Sequence, residues 1–165
     1  MQGELLEQAN IVSAFVPVDT QDGANNGDWV SMKNYNRALV VLFKDAGVAG
    51  DDPVFTLRQA TDNSGTSAKA LNFTRVRTKV GTQTGIGQFT LNTQSAANTY
   101  TDTDSAEAEA IMAVEVKAED LDTDNGFDHI QLQIPDTGSA GAQLGCGFYI
   151  LYDPRFAQES PPSAL

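Results

Sequence analysis

Cysteine is nearly absent from this chain of 165 residues: Cys146 stands alone, so no intrachain disulfide can form. A chain of this length buries roughly two-thirds of its unfolded surface in one domain and needs no covalent or metal staple. The lone thiol fits synthesis in a reducing compartment such as a cytoplasm. Histidine is as scarce. His129 alone excludes a multi-histidine metal site within one chain, and Cys146 has no cysteine partner for a zinc set. Cations are few: 10 Lys and Arg stand against 22 Asp and Glu, for a formal net charge of −12. Nucleic acid and anionic membrane surfaces are therefore disfavoured partners, because both demand a cationic footprint. The longest strictly apolar run, Ala38 to Phe43, is far short of the ~20 residues a membrane-spanning helix requires. Met1 to Glu7 has neither the basic nor the apolar stretch of a secretory signal. No phosphate loop ending in Gly-Lys-Ser/Thr occurs, and no cofactor is expected.

What the chain does have is carboxylates, turn residues and short alternating segments. Between Asp102 and Asp128 ten acidic residues face a single cation, Lys117, a pattern of a solvated acidic surface rather than of a reaction centre. Strand signals bounded by Gly, Asn, Asp or Pro cover Ile11–Val18, Trp29–Met32, Arg37–Lys44, Pro53–Ala60, Leu71–Val80, Gln88–Leu91, Ile111–Lys117, His129–Ile134 and Leu144–Tyr152. Arg37–Lys44 is apolar at both alternating sets of positions, which predicts a central strand covered on both faces. Helical crossover segments are missing. The fold expected is all-β, an antiparallel sandwich (jelly-roll-like) or a partly closed barrel. Residues 1–10 and 154–165 read as extended N- and C-terminal arms flanking a single β domain at 11–153.

Each chemical motif has a plainer counterpart. Asp136-Thr137-Gly138 resembles the catalytic turn of dimeric aspartic proteases, in which two carboxylates share a proton and activate water. Here Pro135 precedes the turn, Gly141 follows it, and Asp, Thr and Gly are ordinary residues between strands. The alternate carboxylates of Asp120–Asp128 resemble a calcium loop, but Asn125 occupies the place of the sharp-turn glycine and Gln131 that of the closing glutamate. A Cys146–His129 nucleophilic pair would need adjacent strands, whereas Gly145 and Gly147 point instead to close packing. Neither a catalytic residue nor a metal ligand is assigned, and the chain is expected not to be an enzyme.

Two features suggest binding. Arg75, Arg77 and Lys79 recur with period two, so an extended segment projects all three from one face, a docking stripe for an acidic neighbour. Leu5, Leu6 and Ile11 near one end and Phe156 and Leu165 near the other are apolar residues in or beside polar segments too short to build a core, and a partner surface is the expected site of their burial.

Three blocks carry a resemblance: Asn34-Tyr35-Asn36-Arg37-Ala38-Leu39-Val40-Val41-Leu42-Phe43, Ala118-Glu119-Asp120-Leu121 with Asn125-Gly126-Phe127-Asp128, and Tyr149-Ile150-Leu151-Tyr152-Asp153-Pro154-Arg155-Phe156. In these the chain is similar to small structural proteins encoded in tailed-bacteriophage genomes. The resemblance implies a virion component made in the host cytoplasm, a decoration or cement protein of the capsid exterior. It also implies a homotrimer whose partner is the major capsid protein. A neck or head-to-tail protein, or a surface adhesion or sugar-binding β domain, are the alternatives. The resemblance assigns no binding residue.

Overall fold

The computed structural model describes residues 4–50, 52–101, 103, 108–136, 141–156 and 163–165. The strands in chain order are β1 (Ala9–Asp19), β2 (Asn25–Asn26), β3 (Val30–Ser31), β4 (Tyr35–Lys44), β5 (Val54–Ala60) and β6 (Lys69–Ala70). They continue with β7 (Phe73–Val80), β8 (Thr90–Ala97), β9 (Thr99–Thr101), β10 (Ala110–Lys117), β11 (His129–Ile134) and β12 (Leu144–Pro154). Helix among the described residues comes in short pieces, the single turns α1 (Leu5–Gln8) and α2 (Gln83–Ile86) and 3-10 turns that include Ala118–Asp120 and Thr123–Asn125.

One antiparallel sheet runs β1-β12-β4-β10-β7-β8 and the other β2-β11-β5-β6, with β3 also on β11 and β9 also on β5. Along the chain β1, β4, β10 and β12 fall in the first sheet and β2, β5 and β11 in the second, so the chain crosses repeatedly between the layers. This is jelly-roll winding, with the β7–β8 hairpin widening the first sheet. Both sheets stay open at their edges. The all-β sandwich expected from the strand pattern is thus the fold, and no barrel closes.

The core lies between the sheets. Ala38, Val40 and Leu42 of β4, Met112 and Val114 of β10 and Leu151 of β12 pack against Phe55 and Leu57 of β5 and Ile130 and Leu132 of β11, all buried. Each large side chain contributes about 1.5–3 kcal/mol by leaving water. One expectation needs correction. Strand β4 is internal, but only its inner face is fully covered; on the outer face Leu39 is half-buried and Phe43 is 43% exposed, because the second sheet lies on one side only. The same strand ends on a buried cation. Lys44 satisfies its ammonium by donating to the carbonyls of Ala108 and Asp45, as burial of a charge requires.

Tyr149 ties the layers together. Its side chain crosses from β12 to the opposite sheet, where the hydroxyl accepts the Leu132 N–H at 2.8 Å and donates to the Asp28 carbonyl at 2.9 Å. Beside it the Gly27 N–H donates to the Leu132 carbonyl at 2.8 Å. A Cβ on Gly27 would fall 2.8 Å from that carbonyl oxygen and 2.9 Å from the Ala14 Cβ, so the approach needs glycine. The close packing expected around Cys146 is also present: a Cβ on Gly147 would meet Phe15 at 2.7 Å and Leu132 at 2.8 Å.

The ends depart from the expected arms. β1 starts at Ala9, inside the N-terminal segment, and β12 continues to Pro154. At the far end the Ala164 carbonyl accepts the Ser31 N–H at 2.7 Å, Ser163 accepts from the Asn34 amide at 3.3 Å, and Ala164 is 9% exposed within the core. The last residues therefore pack on their own domain, supplying acceptors to donors that the short strand β3 and its loop leave over.

Candidate functional site

The apolar residues singled out from the sequence divide into two groups. Ala9 pairs with Tyr152 and Ile11 with Ile150, and α1 packs against both β1 and β12. Leu5 and Leu6 therefore sit at the end of the β1–β12 ladder where β12 leads through Pro154 to Phe156. Leu5, Leu6, Ile11 and Phe156 are 72%, 57%, 56% and 67% exposed, and no residue of α1 is buried. Leu5, Leu6 and Ile11 thus lie on the outer strand and its helical turn, and Phe156 follows β12 at the same end of the ladder, an apolar margin by position. Leu165 lies elsewhere, 81% exposed beside Val12 and Trp29 at a shallow cavity under the C-terminus.

The cationic stripe is on the far side of the same sheet. In β7 the side chains of Val76 and Thr78 are buried, while Arg75 and Arg77 are exposed and Lys79 stacks its ammonium 4.8 Å from the Phe89 ring. All three cations share the outer face, as period two requires. Among the described residues neither arginine has a carboxylate within ion-pairing distance.

Both arginines border a cleft of about 560 Å3, a feature the sequence did not reveal. β10 is paired with β4 along its whole length, Ala110 to Lys117, but with β7 only from Ala110↔Val80 to Ala113↔Arg77. Beyond that point the strands fork. A register shift between Phe73 and Arg75 in the β7–β8 ladder bends β7 there, as bulges do. On the other wall the Lys117 N–H turns to the Asp120 carboxylate at 2.9 Å. Leu39, Leu71, Phe73 and Ala113 supply apolar lining; Arg37 and Lys117 add cations, and Glu115 and Asp120 anions. Glu115 is engaged by Arg37, and Lys117 by Glu119 at 3.2 Å.

The chemical lookalikes resolve differently. Asp136 is exposed just past β11, and Thr137 and Gly138 of the protease-like turn lie outside the described residues. In the calcium-like segment three of the four carboxylates turn to protein partners: Asp120 to the Lys117 N–H, Asp122 to Lys69 and Asn125, and Asp128 to His129 at 2.5 Å and Lys33 at 3.3 Å. Among the described residues no three His, Cys, Asp or Glu side chains converge as a metal site. Cys146 belongs to the first sheet and His129 to the second, so they are not on adjacent strands; burial pushes the thiol pKa up. Tyr35 and Tyr149 are wholly buried and Trp29 packs on Gly65, so these rings form no shared exposed platform for a sugar.

Two surface carboxylates are held ionised by the fold. Lys69, then the Asn125 amide, lowers the Asp122 pKa below 3.8, and the Thr66 hydroxyl and N–H do the same for Asp62. A lowered carboxylate stabilises the folded state fully above its unfolded value, and the contribution is lost as pH falls through the folded one. Asp122→Asn should therefore melt closer to the wild type at about pH 2 than at about pH 6. Thermal scans across that range check it. Parallel curves would show that the pair contributes nothing.

No family model matches the chain, and no curated protein matches it in sequence.

Proposed function

We propose that the protein is a non-enzymatic component of a bacteriophage virion that binds the outer surface of the capsid lattice as a homotrimer and clamps neighbouring capsid subunits. The observation that carries this reading is the exposed apolar margin of Leu5, Leu6, Ile11 and Phe156, which segments from both ends of the chain place at one end of the β1–β12 ladder. Exposed apolar groups gathered at one edge mark a contact surface better than a pocket. The jelly roll, a fold that serves capsids and lectins alike, is compatible with the reading by analogy alone. The mechanism is mass action: a protein that binds the assembled lattice and not its separated subunits shifts the equilibrium toward the lattice.

Reconstruction of a particle carrying the chain tests this directly. Many copies at threefold positions on the exterior are expected; a single ring at one vertex would favour a neck role, and absence from particles would end the proposal. Removing residues 1–8 should leave the domain folded, because α1 buries no side chain, while lowering occupancy on particles. Particles lacking the protein should break at lower temperature.

A further inference from the structure

We propose that the fork between β7 and β10 is a docking groove for an extended, carboxylate-bearing segment of a partner protein, added as a strand along the free edge of β10. Three observations converge on this occupant. From Val114 to Val116 β10 has β4 on one side and the cleft on the other, so its backbone offers an edge of about 10 Å, the length of three strand residues, before the Lys117 N–H turns to Asp120. Leu39, Phe73 and Ala113 line the gap beside it with apolar surface, which suits alternate side chains of an added strand. Arg75 and Arg77 stand over it without carboxylate partners among the described residues, on a chain whose net charge is −12.

The charge decides among occupants. Glu115 and Lys117 are already paired with Arg37 and Glu119, and the Asp120 carboxylate, which also lines the groove, accepts the Lys117 N–H; two arginines against that one anion leave the groove with an excess of positive charge. A carboxylate entering there gains a charge-assisted pair and displaces none. Nucleic acid would meet the same arginines but also the repulsion of the whole acidic surface. A compact anion would use the arginines and leave the edge and the apolar lining unfilled. Any protein bearing such a segment fits, virion component or not, so free peptides test the groove without particles.

The probe is a labelled octapeptide of alternating valine and glutamate, titrated with the full chain and followed by fluorescence anisotropy. Saturable binding that weakens with salt is expected. Arg75→Gln/Arg77→Gln should reduce affinity roughly tenfold, and Arg75→Glu/Arg77→Glu more, with melting unchanged because both side chains are exposed and in no ion pair among the described residues. N-methylation of alternate peptide nitrogens should reduce affinity comparably in one of the two alternating registers, by removing the edge hydrogen bonds. Alternating valine and lysine should not bind. Equal binding by the lysine peptide, full affinity of the arginine variants, or indifference to N-methylation in both registers would overturn the proposal. So would a heparin fragment that binds through these arginines while the glutamate peptide does not.

Discussion

Tyr149→Phe should lower the free energy of unfolding by about 2–4 kcal/mol without changing the fold. The phenyl ring would keep the buried position and the apolar contacts, since Tyr149 is 0% exposed, so the loss isolates the hydroxyl. Two main-chain groups depend on it, the Leu132 N–H and the Asp28 carbonyl. Neither gains a substitute from the ring, and a buried polar group without a partner costs about 1–3 kcal/mol. The Leu132 N–H matters most, because its bond to the hydroxyl is buried. Burial already shows in the phenol, which holds its proton far above the usual tyrosine range. Urea titration of the two forms measures the difference, and an unchanged slope would show that both unfold from the same compact state. Tyr152→Phe is the control: this ring is half-buried on the outer face, and its loss should cost less than about 1 kcal/mol. Equal effects of the two substitutions would mean that Tyr149 is a packing residue and not a pin between sheets.

The parts of the fold legible in the sequence are those whose physics is local. β4, β10, β11 and β12 each announce themselves by apolar alternation: β11 has the expected bounds, and β4, β10 and β12 each run one or two residues further at one end. The strand signal of β8 stops at Leu91, yet the strand continues to Ala97, because Asn92–Ala97 is an edge stretch with no apolar face to give it a period. Lys44 gave no sign of burial; only the carbonyls of Ala108 and Asp45, one of them remote in sequence, make its position tolerable. The candidate surfaces split in the same way. Period two was enough to put Arg75, Arg77 and Lys79 on one face, but the cleft beside them exists because the β10–β7 ladder stops at Ala113↔Arg77, a fact of register between distant segments. Likewise Leu5, Leu6 and Phe156 stand out in the sequence as misplaced apolar residues, while their placement at one end of the β1–β12 ladder depends on Ala9 pairing with Tyr152. The C-terminal segment misled for a related reason: proline-rich composition forecasts an arm, and nothing local says that Ser31 and Asn34 will need its carbonyls.

That convergence gives the proposed capsid contact its strongest test. Leu5→Asp/Leu6→Asp/Phe156→Asp should leave circular dichroism and melting unchanged, since all three side chains are more than half exposed and α1 contributes nothing buried. On particles the same protein should lose most of its occupancy. Burying an apolar side chain is worth about 1.5–3 kcal/mol in full, and these begin partly covered, so about 1–1.5 kcal/mol each is a fair share at an interface. Three together amount to about 4 kcal/mol, close to a thousandfold in affinity. The new carboxylates would add a cost of their own in any apolar contact. Salt separates this surface from the arginine groove: screening should weaken an attachment made through Arg75 and Arg77 and leave one made through the apolar margin nearly untouched. If the wild type attaches with little dependence on salt and the triple variant is absent from particles, the margin is the clamp. If instead the triple variant occupies particles as the wild type does, Leu5, Leu6 and Phe156 have no part in attachment, and the cement reading loses the observation on which it stands.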